Sequence, residues 1–138
     1  LKPPAKLVVD ANPIISGLLG GTALRVFWSP ALKELATTEF TVNEVLSYLP
    51  RLAEKVSVPE EILRLTVELL PLTIYGEAFY RGCLTEAKKR IGERDSKDVD
   101  LLALALKLGH PVWSNDRDFE GTGVTLFTTA KLLKQIRP

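Results

Sequence analysis

Short apolar runs separated by helix-length segments constrain this chain more than any other feature. KLVVD (6–10), PLTIY (71–75), HPVWSND (110–116) and GTGVTLF (121–127) each read as a strand bounded by turn or helix signals. LATTEF (35–40) is ambiguous and has room for one more short strand. Between them lie helical patterns. Asn12 reads as an N-cap with Pro13 at the first helical position, which predicts a helix running to Gly20-Gly21. A helix over 22–28 precedes Pro30. Thr41-x-x-Glu44 forms a capping-box pattern before Val45, Leu46 and Leu49, with Pro50 kinking or dividing the helix. VPEEILRLTVELL and GEAFYRGCLTEAKKRI are two further helices, the second ending at Gly92. KDVDLLALALKL (97–108) is the most regular apolar helix, with Gly109 as its C-cap, and Thr128 caps the last one. Short strands alternating with helices imply an α/β domain with a mostly parallel central sheet flanked by helices.

With 138 residues, 46% of them hydrophobic and 25% charged, the chain suits one globular domain over 1–138 with a substantial core. No apolar run reaches the roughly 18 residues of a membrane span. The start, LKPPAKLVVD, lacks the pattern of a signal peptide, so a cytoplasmic location is expected. One cysteine, Cys83, and one histidine, His110, leave little material for a thiolate zinc site or a histidine-based triad. Cys83 reads as a buried helix residue and His110 as a loop residue. The net charge of +1 gives no overall basic signature. EAKKRIGERDSKD (86–98) is either a solvated helix end or a rim that contacts phosphates. VELLPLTIY (67–75) reads equally as core or as an oligomer face. Phosphate-loop patterns of the GxGxxG and GxxxxGK[ST] types are absent from the sequence.

Four carboxylates stand where the elements make them interesting. Asp10 ends the first strand and Asp116 follows PVWS. Glu44 and Asp98 sit in the first turns of helices. Each has a structural explanation: a chain turn for Asp10, a capping box for Glu44, a helix-dipole contact for Asp98, and a turn with Asn115 for Asp116. Together they suggest more, because ligands of open α/β sheets sit outside the carboxyl ends of the strands. Carboxylates gathered there repel one another, and a divalent cation offsets the repulsion. Oxygen-only ligation suits Mg²⁺ or Mn²⁺.

LVVDANPIISGLLG, TVNEVLSYL and KDVDLLALALKLGHPVWSNDRDF together resemble the PIN-domain family of metal-dependent ribonucleases over nearly the whole chain. The resemblance implies a Rossmann-like three-layer fold. It places Asp10, Glu44, Asp98 and Asp116 as the family's acids holding Mg²⁺ or Mn²⁺, with Asp118 as an additional acid. Asp98 is preferred over Asp100 because Ala103 and Ala105 follow it in the family's register. The two also face different ways on a helix. Asn12 and Ser114 are placed to orient ligands, or else serve as cap and turn residues. Lys89, Arg90, Arg94 and Arg117 are candidates for contacts to RNA phosphates, and Arg81 is a further arginine near the pattern. The resemblance implies an endoribonuclease, including the toxin of a toxin–antitoxin pair, working as a homodimer and restrained by an antitoxin protein. An RNA-processing nuclease and a catalytically silent RNA- or protein-binding adaptor are the alternatives.

Overall fold

The computed structural model describes residues 3–92 and 96–136. Among these residues five strands form one sheet: β1 (Lys6–Val9), β2 (Glu34–Thr38), β3 (Thr73–Tyr75), β4 (Val112–Trp113) and β5 (Leu126–Phe127). Their order is β3-β2-β1-β4-β5, and every neighbouring pair is parallel. Among the described residues the helices are α1 (Ala11–Leu18), α2 (Thr22–Phe27), α3 (Glu39–Val56), α4 (Glu60–Leu69), α5 (Glu77–Tyr80), α6 (Leu84–Ile91), α7 (Asp98–Leu108) and α8 (Thr129–Gln135). Single 3₁₀ turns cover Arg81–Cys83 and Arg117–Phe119. No described helix is long and apolar enough to cross a membrane.

The three layers follow from the two-residue period of the central strand. Leu7 and Val9 of β1 face one way, into a core with Ile14, Phe27, Leu35, Val45, Leu63, Trp113 and Leu132. Val8 faces the other way, among Tyr80, Ile91, Leu102, Val112 and Phe119. β1 is covered on both sides, which is why KLVV reads as a continuous apolar run rather than an alternating one. The apolar residues of VELLPLTIY divide: Val67 and Leu70 are core, whereas Leu69 and Ile74 are exposed.

Several local expectations need correction. Asn12 is not the cap of α1; Asp10 is, with its carboxylate accepting from the Ala11 amide. Pro13 consequently falls at the third helical position, where its missing N–H is one of the groups a helix start leaves without an intrahelical partner. The Thr41–Glu44 capping box does not form. Thr38 caps α3, accepting from the Thr41 amide at 2.9 Å, so Glu44 lies in the second turn rather than the first. Pro50 does not divide α3; the residue is exposed and the helix carries its ring outside the core. The single helix expected over 76–91 is broken at the 3₁₀ turn, where Gly82 falls. Cys83 in that turn is only partly buried.

The ambiguity of LATTEF has a physical origin. Thr37 and Thr38 are both fully buried, and each spends its hydroxyl on the backbone. Thr37 donates to the Val9 carbonyl at 2.8 Å, fastening the end of β2 to the end of β1. Thr38 starts α3. Replacing Thr37 with the isosteric valine leaves the Val9 carbonyl without this donor. Thr37→Val is expected to lower stability by about 1–3 kcal/mol, read as a lower urea midpoint with an unchanged slope.

Candidate functional site

The strand order reverses at β1, with β2 and β3 on one side and β4 and β5 on the other. Chain connections leave in opposite directions there, and in open α/β sheets such a point, outside the carboxyl ends of the strands, is where ligands bind. The first residues beyond these two strands are Asp10 and Ser114. Parallel pairing carries past the strand ends, with the Asp10 amide donating to the Trp113 carbonyl at 3.0 Å.

Asp10 is buried, with 8% of its surface exposed. Its Oδ1 accepts from the Ala11 amide at 2.8 Å and its Oδ2 from the Ser114 hydroxyl at 2.7 Å. Ser114 Oγ in turn accepts from the Asp116 amide at 3.0 Å. Asp116 Oδ1 accepts from the Asp118 amide at 3.2 Å and so starts the 3₁₀ turn. One chain of hydrogen bonds thus runs Asp10–Ser114–Asp116–Asp118. Burial pushes the Asp10 carboxyl above its ordinary range; the bonds from Ser114 and Ala11 pull it down, and the charges of Asp116 and Asp118 push it up again.

Glu44 and Asp98 approach one another from the second turn of α3 and the first residue of α7. α3 leaves directly from the end of β2, and α7 runs back from the carboxyl edge to the start of β4. Asp98, the first residue of α7, is buried. Glu44 Oε2 lies 3.8 Å from Lys97 Nζ, one residue before Asp98. Lys97 was not anticipated from the sequence. It was hidden in the mixed-charge tract, and its sign beside an expected acid was the available signal.

Asp100 is engaged elsewhere: its Oδ2 accepts from the Tyr80 hydroxyl at 2.5 Å. Burial, then the Asp100 carboxylate, hold the Tyr80 phenol protonated well above its ordinary range. Asn12 Oδ1 accepts from the Asn115 amide at 3.2 Å, and Asn115 Oδ1 accepts from the Thr129 amide at 2.9 Å. These two asparagines fasten α1, the segment after β4 and α8 together. Arg90 bonds Glu86 at 2.8 Å and the Thr122 carbonyl at 3.0 Å. Arg117 is 88% exposed beside Glu120, Arg81 pairs with Glu77, and Lys89 is exposed. Arg94 lies outside the described residues.

The donors along this edge are all carboxylate or hydroxyl oxygens, a set suited in chemistry to a hard divalent cation. The repulsion that Asp116 and Asp118 exert on Asp10 is the kind that such a cation offsets. Among the described residues, however, no three His, Cys, Asp or Glu side chains are gathered as a metal-holding group. Asp10 stands with Asp116 and Asp118, and Glu44 is drawn to Lys97.

With this geometry in view, the PIN domain family matches residues 8–137. The chain belongs to the PIN-domain family. Membership supports a nuclease-like role for this PIN domain. A comparison with curated proteins returns no match. Among solved structures, PAE2754 from Pyrobaculum aerophilum is similar, with a TM-score of 0.68, 17% identity, and coverage of 96% of this chain and 95% of that one. A chain of a toxin–antitoxin complex from Klebsiella pneumoniae gives a TM-score of 0.64 at 19% identity, covering 89% and 97%. A chain of VapBC2 from Rickettsia felis, bound to a DNA fragment from its promoter, gives 0.59 at 12%, covering 89% and 98%. At these identities the likeness is one of fold.

The raised Asp10 carboxyl has a consequence for stability. Between the ordinary value of 3.8 and the raised one, the folded protein binds more protons than the unfolded chain, so stability falls as pH rises through that window. In chelator-treated protein, Asp10→Asn is therefore expected to melt above wild type at pH 7. The gap should narrow as pH falls to 3.8. Scanning calorimetry of both proteins from pH 3 to 8 checks this.

Proposed function

We propose that this PIN domain is a Mg²⁺- or Mn²⁺-dependent endoribonuclease and the toxin component of a toxin–antitoxin pair. The observation that carries the proposal is the hydrogen-bonded line from buried Asp10 through Ser114 to Asp116 at the strand-order reversal. Asp10, Glu44, Asp98 and Asp116 would hold the cation, with Asp118 as a further acid beside them. When bound, a divalent ion supplies Lewis-acid polarisation of a phosphoryl oxygen and lowers the pKa of a water.

The remaining work falls to the chain's own side chains. Ser114 fixes the rotamer of Asp10 and, through the Asp116 amide, the path of the next acid. Asn12 and Asn115 keep the segment bearing Asp116 against α1. Lys97 offsets negative charge at Glu44 and stands ready to meet a phosphate. Lys89, Arg94 and Arg117 would contact phosphates flanking the cleaved bond, contacts that position an RNA strand without reading its sequence. Arg90 has a bracing role through Glu86 and Thr122 and would contribute to the same rim.

The partner reading rests on the fold shared with a chain of the toxin–antitoxin complex from Klebsiella pneumoniae. A homodimer is part of the proposal, with exposed Leu69 and Ile74 available to a second copy.

Cleavage of a single-stranded RNA with Mn²⁺, with Mg²⁺ and with chelator tests the activity. Wild type is expected to cut only with a divalent ion, and Asp10→Asn to cut more slowly by over about 100-fold, since even changes to residues that merely orient a metal ligand cost about 10–100-fold. Equal rates for the two proteins would sink the assignment of Asp10. Failure to cut any RNA would leave the adaptor reading in its place.

A further inference from the structure

Tyr80 is 1% exposed and takes no part in the chemistry described above. A buried tyrosine hydroxyl needs a partner, and that of Tyr80 takes Asp100, joining α5 to the first turn of α7 at 2.5 Å. Asp100 is the acid that the family register passes over. Asp98, the acid it selects, lies two residues earlier in the same turn. Successive residues of an α-helix are rotated by about 100°, so these two side chains diverge by about 200°. Fixing the direction of one therefore fixes the direction of the other.

The bond acts on the first turn of α7, whose N-cap position, Lys97, provides no side-chain capping hydrogen bond. Tyr80 stands near a second helix start as well. Thr38, fully buried, caps α3 through the Thr41 amide and stands near enough to the same phenol to pull its raised pKa back slightly. α3 carries Glu44 and α7 carries Asp98.

We propose that Tyr80 is a positioning residue for the acidic edge: through Asp100 its hydroxyl sets the rotation of the first turn of α7, and with it the bearing of Asp98. This rests on the metal-binding reading given above. Tyr80 does not touch the cation or the RNA; it acts through α7. Hydrogen bonds that orient a metal ligand from behind typically alter metal affinity about 10–100-fold.

Mn²⁺ titration by calorimetry at pH 7 tests the proposal, on wild type, Tyr80→Phe, Asp100→Asn, Asp100→Ala, the double variant Tyr80→Phe/Asp100→Ala and, as a control, Tyr75→Phe. Circular dichroism melts accompany each protein. Tyr80→Phe and Asp100→Ala are each expected to weaken Mn²⁺ binding about tenfold. Asp100→Asn keeps an oxygen acceptor for the phenol and is expected to bind within about twofold of wild type. The double variant should be no weaker than either single one, because both remove the same link. Tyr75→Phe should leave affinity unchanged.

Wild-type affinity in Tyr80→Phe would overturn the inference and leave the metal site standing. Equal weakening by Tyr75→Phe, or additive losses in the double variant, would overturn it too. Should Tyr80→Phe fail to fold, Asp100→Ala against Asp100→Asn carries the test, and equal affinities for those two would overturn it. Absence of Mn²⁺ binding by the wild-type protein would remove the metal reading and this inference together.

Discussion

The pairing of β1 with β4 at the point where strand order reverses is the constraint on which the site depends. It brings Asp10 and Ser114 to adjacent positions beyond two strands whose buried residues are all apolar. A charged group at the end of a central strand is costly to bury unless its oxygens are satisfied. Here the helix that follows provides one donor and the neighbouring strand end provides the other. The same two contacts limit how the carboxylate can rotate. Its solvation and its orientation therefore have a common origin, and neither survives without β4 in register.

Much of the fold was visible in the sequence because the two cores impose simple periods. KLVV and VW are buried on both faces and read as apolar runs, while DLLALALKL with Gly109 behind it reads as a helix whatever its surroundings. The helix starts were misplaced for a consistent reason. At both β1–α1 and β2–α3 the residue that ends or directly follows the strand is also the cap. Asn12 and Thr41 look like good caps locally, but the strand geometry fixes Asp10 and Thr38 there first. Two buried threonines also blurred β2, since their hydroxyls serve β1 and α3 rather than the strand they stand in.

The acids were legible one at a time, from their places beside strand ends and helix starts. Their wiring was not. Nothing local in SNDRDF indicates that Ser114 donates to Asp10, or that Asn115 ties α8 to the segment carrying Asp116. Lys97 and Tyr80 were invisible for the opposite reason: one sat in a tract of mixed charge, the other in an ordinary amphipathic stretch. A pattern can place a carboxylate at an edge. Only tertiary structure says which neighbour orients it and which cation stands beside it.

The bond between Asp10 and Ser114 spans 104 positions, and that between Asn12 and Asn115 spans 103. Contacts so distant in sequence carry the closure entropy of all the chain between them. A ribosome releases Asp10 near the beginning and Ser114 only after most of the domain. Throughout synthesis the first acid thus waits without the serine that orients it. Any chain that stops short of β4 carries the acid but not its bearing, so incomplete products are barred from assembling this edge by the order of translation itself.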